Sequence, residues 1–139
     1  MMRKILFTLA LAGLLNAQSA KAPALVMEAF QKAYPQAKLK TVKPEKRNGK
    51  TVYELESTNA FGSLDVLYSD KGELIEAEES MPVADLPAEV SAAIKTKHPK
   101  ATVVSAEKIK SASGIKFEMI IQEGKKKKEI TLDSAGRFQ

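Results

Sequence analysis

Two hydrophobic periods alternate along the chain. Ala22, Val26, Ala29, Phe30 and Ala33 recur at helical spacing until Tyr34-Pro35, and Leu86, Val90, Ala93, Ile94 and Lys97 do the same until His98-Pro99. Apolar residues three and four apart line one side of a helix, and a proline stops it by clashing with the preceding turn and lacking an N–H. The spacing predicts a helix opened by Pro23 and a second with Asp85 as N-cap and Pro87 in its first turn. After each helix the period shortens to two. Residues 38–45, 51–57, 63–69 and 73–78 read as strands, joined by turns at Arg47-Asn48-Gly49-Lys50 and Asp70-Lys71-Gly72 and by a loop over residues 59–62. Asn48-Gly49 is a strong hairpin signal, because both residues tolerate positive φ. Tyr53 and Leu55 point one way and Glu54 and Glu56 the other, and Leu64, Val66 and Tyr68 repeat the alternation. Such a sheet has one buried face and one wet face.

The second half restates the first. A shift of 64 residues lays Pro23, Ala24, Val26, Ala29, Pro35, Ala37, Glu54 and Gly72 onto Pro87, Ala88, Val90, Ala93, Pro99, Ala101, Glu118 and Gly136. The apolar character of Phe30, Leu39, Tyr53, Leu55, Val66 and Leu74 is kept at Ile94, Val103, Phe117, Met119, Ile130 and Phe138. The matches fall on turn residues and on the apolar face, where a repeated fold imposes them. Strand positions recur at Phe117, Met119 and Ile121 and at Ile130 and Leu132, with turns near Ser113-Gly114, Glu123-Gly124 and Ser134-Ala135-Gly136. The fold class expected is α+β: a tandem duplication of a helix followed by an antiparallel β-meander, the two copies making one pseudo-symmetric domain. The first repeat is assigned to residues 21–80 and the second to 85–139, with a linker at 81–84 too short to tether independent modules. One unit of this size buries too little to stand comfortably alone, so the copies are expected to share a sheet or core.

Residues 1–17 have the order of a signal peptide: Arg3 and Lys4, an eleven-residue apolar run from Ile5 to Leu15, then small residues. Cleavage is expected after Ala17, with Ser19 and Ala20 as the other candidate points. Eleven apolar residues fall short of a bilayer of about 30 Å, so no stable membrane anchor is expected after cleavage. Export makes the expected location periplasmic or secreted. The chain has no cysteine, which excludes disulfides, thiol chemistry and cysteine-bound metal and leaves packing to hold the fold. Formal net charge is +5. Without Arg3 and Lys4 it is +3, divided as −1 over residues 21–84 and +4 from Asp85 onward. That asymmetry is able to steer an acidic partner to the second half.

The helix ends Tyr34-Pro35-Gln36-Ala37 and His98-Pro99-Lys100-Ala101, the hairpins at Tyr53-Glu54-Leu55 and Phe117-Glu118-Met119, the turn Asp70-Lys71-Gly72-Glu73-Leu74 and the helix start Leu86-Pro87-Ala88-Glu89-Val90 resemble the PepSY-like family, also described as β-lactamase-inhibitor-like. The resemblance covers both copies, from about Pro23 to Phe138. It implies an exported α+β protein of tandem helix-plus-sheet units, of a kind proposed to bind or restrain secreted peptidases, with no catalytic residues to carry over.

The side chains point the same way. A Ser-His-Asp arrangement needs a histidine held against a serine, and the single histidine, His98, stands before a helix-ending proline where packing is the expected role. No second histidine completes a zinc site, and no cofactor or metal is expected. Glu73, Glu76, Glu78 and Glu79 offer oxygens to a hard cation. On a strand, however, Glu76 and Glu78 face one way and Glu73 and Glu79 the other, so they read as a solvated edge strand kept soluble by charge. Lys125-Lys126-Lys127-Lys128 follows the Glu123-Gly124 turn; it lacks the aromatic platforms of a nucleic-acid site, so no nucleic acid is expected, and an aggregation guard is the simpler role. Phe61 sits in the loop Asn59-Ala60-Phe61-Gly62 opposite Lys125 in the alignment. An aromatic there either packs back or anchors a partner. Phe61 and Lys125 to Lys128 are the candidate partner-binding residues. The expected function is that of an exported, non-enzymatic binding protein of the cell envelope, inhibitor-like, whose partner is another envelope or secreted protein. The alternative is a periplasmic carrier of a small ligand or cation.

Overall fold

A computed structural model describes residues 20–139, so the signal peptide assigned to residues 1–17 lies outside the described residues. Among them the order is α1 (Ala24–Ala33), β1 (Lys38–Arg47), β2 (Lys50–Asn59), β3 (Gly62–Ser69), β4 (Leu74–Met81), a 3₁₀ turn (Val83–Asp85), α2 (Ala88–Lys97), β5 (Thr102–Ser111), β6 (Gly114–Glu123) and β7 (Lys126–Asp133). The strands form one sheet in sequence order, each antiparallel to the next. The α+β tandem architecture read from the sequence is the one observed. Four strands come from the first copy and three from the second, whose last segment keeps only a bridge between Leu132 and Phe138.

The duplication has a physical reason at each matched position. Both helices follow a proline and end alike, with the N–H of Tyr34 donated to the Phe30 carbonyl and that of His98 to the Ile94 carbonyl. Register shifts interrupt β1 between Leu39 and Thr41 and β5 between Val103 and Ser105, the same place in each copy. Gly72 and Gly136 have φ of 77° and 81°. A Cβ on them would stand 2.5 Å from the carbonyl oxygens of Leu25 and Glu89, so the turn touches the helix backbone directly. Ala29 and Ala93 are the next nearest neighbours, which accounts for their identity as well.

Directly paired residues on antiparallel strands project from one face. Val42, Leu55, Val66 and Ala77 form one such row, and Val26 and Phe30 of α1 pack on it. Ala106, Met119 and Ile130 form another, covered by Val90 and Ile94 of α2. Ala77 and Met81 lie on the same side of β4 and join the two rows, so both helices cover the same face. The copies share the sheet through β4 and β5 but keep separate hydrophobic clusters, with the Glu79–Lys108 ion pair (2.9 Å) between them.

Three local expectations are corrected. Asp85 ends the 3₁₀ turn and Pro87 occupies the cap of α2, since residues 83–85 must first turn the chain off the sheet. The loop over residues 59–62 is a two-residue turn, Ala60-Phe61, because β2 and β3 pair as far as Asn59 and Gly62. Residues 73–78 are not an edge strand. β4 is the fourth of seven strands and runs to Met81 in order to pair with β5.

Candidate binding face

No described helix covers the other side of the sheet, and its chemistry follows from the same register. One row reads Glu56, Asp65, Glu78, Ile109, Lys116, and the next Ser80, Glu107, Glu118, Thr131. A third runs Lys43, Glu54, Leu67, Glu76. Strand alternation therefore sends the acidic residues to one face, while the hydrophobic set faces the helices.

The face is not simply wet. Glu54, Glu78 and Glu118 are only 5%, 8% and 6% exposed, and Leu67 is fully buried without belonging to either helix-side cluster. Register shifts in β1, β3 and β5 bend and twist the strands that carry them, and a hollow opens on this face. The hollow has a volume of about 530 Å³, lined by Lys40, Glu56, Ser63, Asp65, Glu78 and Glu107. At its centre one carboxylate oxygen each from Glu78, Glu107 and Glu118 lies within 4.8 Å of the others. Burial, a hydrogen bond with Glu107 and the neighbouring carboxylates push the Glu78 carboxyl well above its ordinary range. Burial, and then the Glu56 charge, push Glu54 up to about 7. Lys43 answers part of this charge through its ion pair with Glu56, and the Ser63 hydroxyl donates to Glu107 at 3.4 Å.

The structure separates the residues singled out from the sequence. Phe61 is 62% exposed, so it does not pack back onto the domain. Its N–H is donated to Asn59 Oδ1 (2.8 Å), which fixes the turn, and Gly62 and Ser63 beside it line the hollow. Lys125 occupies the matching turn between β6 and β7, and Lys126 to Lys128 open the edge strand β7, all exposed. Both turns lie at the same end of the sheet, because β2 and β6 run in the same direction; four strand spacings of about 4.8 Å separate them by about 19 Å. Thus Phe61 stands at the rim of the hollow and the lysines do not line it. His98 does no chemistry visible here: Nδ1 meets Glu123 Oε1 at 2.9 Å, and the ring packs edge-on against Phe138.

The acidic cluster was missed because it is built across the joint. Glu78 comes from the first copy and Glu107 and Glu118 from the second, and the pairing of β4 with β5 is what brings them together. The available signal was the identity of Glu54 and Glu118 at matching strand positions, on the face opposite the hydrophobic one.

Two helices on one face of a seven-stranded antiparallel sheet, with an acidic face left open among the described residues, define an α+β protein. The chain belongs to the PepSY-like family, described as putative beta-lactamase-inhibitor-like, whose model matches residues 16–76 and again 75–139. Similar solved structures include a protein of Bacteroides eggerthii described as a putative periplasmic protein, at 14% identity with 86% of each chain covered and a TM-score of 0.62. A BLIP-like protein of Bacteroides fragilis is 16% identical over 86% of this chain and 85% of that one, with a TM-score of 0.60. A DUF2874 family protein of Bacteroides ovatus is 14% identical over 86% of each chain, with a TM-score of 0.61. At these identities the likeness is one of fold. No curated protein matches the chain, and no described helix is long and apolar enough to cross a membrane.

Proposed function

We propose that this is an exported, non-enzymatic binding protein of the cell envelope, which receives a basic segment of another envelope or secreted protein on its open sheet face. The observation that carries this reading is the charge of that face. A chain with formal net charge +5 gathers Glu54, Glu56, Asp65, Glu76, Glu78, Glu107 and Glu118 on one side of its sheet, around a hollow. Opposite charge on a partner steers encounter and fixes orientation, and an exposed aromatic at the rim supplies an apolar anchor. The family description and the BLIP-like neighbour support the finer form, in which docking inhibits the partner. The neighbour described as periplasmic and the signal-like order of residues 1–17 support export.

The test is a cross-linked capture from the native envelope with three proteins: the unaltered chain, a Glu56→Gln/Asp65→Asn variant, and a variant with serine at Lys125 to Lys128. A partner retained by the first and third and lost by the second is the expected result. Equal retention by all three removes the face from the reading. A rise in melting temperature with calcium chloride but not with sodium chloride at equal ionic strength, together with no face-dependent partner, would assign the hollow to a small cation instead, because a ligand selective for the native state must stabilise it.

A further inference from the structure

The carboxylates at the joint between the copies have a consequence for when the face is able to bind. Glu78 and Glu118 are buried, and one carboxylate oxygen each from Glu78, Glu107 and Glu118 lies within 4.8 Å of the others. Carboxyl groups held this close out of water favour a state in which one keeps a proton and donates it to its neighbour, since ionised carboxylates are acceptors alone and repel. The groups sharing this face carry charge of both signs. β2 offers Glu54 and Glu56, β3 Asp65, and β4 itself Glu76. From β7 come Asp133, and Thr131 opposite Glu118. The register also places the acids Glu45 and Glu129 there, and the cations are Lys38, Lys43 and Arg47 of β1, Lys50 of β2, Lys116 of β6 and Lys127 of β7, with Lys40 lining the hollow, Lys43 in the ion pair with Glu56 and Lys116 opposite Ile109, itself opposite Glu78. Negative groups outnumber positive ones, and the hydroxyl of Ser63 is the neutral donor that reaches Glu107.

We propose that Glu78, Glu107 and Glu118 form a proton-operated switch on the binding face: a proton shared between Glu78 and Glu107 lowers the charge of the hollow, and its loss adds negative charge where a basic partner docks. This rests on the docking reading above and adds its regulation. The proton leaves the Glu78–Glu107 hydrogen bond for solvent; no bond other than that O–H is broken. Docking of a cationic side chain and retention of the proton then oppose each other, so a basic ligand binds more tightly as pH rises and releases protons when it binds. Lysine side chains, with an ordinary value near 10.4, stay charged throughout the range in which the switch operates.

The experiment uses the chain without its first 17 residues, in a Glu54→Gln background that removes the other raised carboxyl on the face, with hexalysine as the probe. Carboxyl 13C shifts are followed against pH, and the hexalysine Kd is measured at pH 6 and pH 9.5 at one ionic strength. Expected are a glutamate carboxyl that titrates well above the ordinary range, to about 9, and a Kd about fivefold tighter at pH 9.5, the size of one added unit-charge pair about 4 Å apart in water. Both should vanish on Glu78→Gln; on Glu107→Gln, where burial of Glu78 remains but the second carboxyl is gone, the high titration should move down and the pH dependence of Kd shift with it, while Glu73→Gln at the distant turn retains both. Carboxyls that all titrate in the ordinary range overturn the switch whatever hexalysine does. A high-titrating carboxyl with a pH-independent Kd overturns its regulatory role. No hexalysine binding at either pH overturns the docking reading and the coupling with it, and the titration still reports whether the proton is held.

Discussion

At the scale of single residues, burial decides which side chains matter. Val90 is fully buried and Ile94 nearly so on the sheet-facing side of α2. Val90→Ala or Ile94→Ala should therefore lower unfolding free energy by about 2 to 4 kcal/mol in denaturant titration, the usual cost of truncating a buried aliphatic. Glu54 behaves in the opposite sense. Its carboxyl is raised in the fold, so the protonated form is favoured there; the stability this contributes is complete below the unfolded value near 4.5 and is lost as pH rises through about 7. Glu54→Gln should leave the melting temperature almost unchanged at pH 4 and raise it at pH 8. An equal shift at both pH values would mean that its carboxylate is well solvated. His98 marks the other extreme. Its contact with the half-exposed Glu123 carboxylate stands at the end of the helix, and such surface contacts are worth about 1 kcal/mol or less. His98→Phe should fold and bind as before.

At the scale of elements, the turns carry more information than the strands they join. Gly136→Ala must place a side chain at φ 81° and against the Glu89 carbonyl, so it should cost at least about 1–2 kcal/mol. Gly114→Ala, where nothing stands within 4 Å of the added Cβ, has only the backbone strain to bear. Chemical denaturation of the pair separates the helix contact from the backbone preference. The Phe61 and Lys125 turns occupy equivalent places and differ in chemistry. Against a partner caught on the acidic face, Phe61→Ala should speed dissociation at any salt, because lost apolar contact acts on residence time. Serine at Lys125 to Lys128 should leave dissociation unchanged and increase self-association, since β7 is an edge strand and its lysines guard it. Surface plasmon resonance and light scattering read the two effects.

At the scale of the molecule, the joint is a strand pair rather than a common core. A fragment ending at Met81 would keep the α1 cluster and lose the partner of β4, leaving an unpaired edge and the buried Glu78 without its hydrogen-bond partner Glu107. It should melt with a broad, low-amplitude transition and associate as concentration rises. A sharp transition at the temperature of the full chain would mean that the first copy folds independently.

The sequence by itself determined the elements, their duplication and the two faces of the sheet. Apolar spacing of three and four, alternation by two, Asn48-Gly49 and the turn glycines are local constraints of backbone geometry, and a chain bears them whatever lies across from it. It also separated Glu54 and Glu56 from Tyr53 and Leu55, which is how the acidic side was legible at all. Only the tertiary structure decided that β4 is interior, that the open face buries Glu54, Glu78 and Glu118, and that Glu78 meets Glu107 and Glu118. Read along the chain, Glu78 belongs to a short run of solvated acids. The pairing of β4 with β5 joins residues from different copies, and no local periodicity encodes which strand will lie beside another; that choice belongs to the register of the whole sheet and to the burial it satisfies.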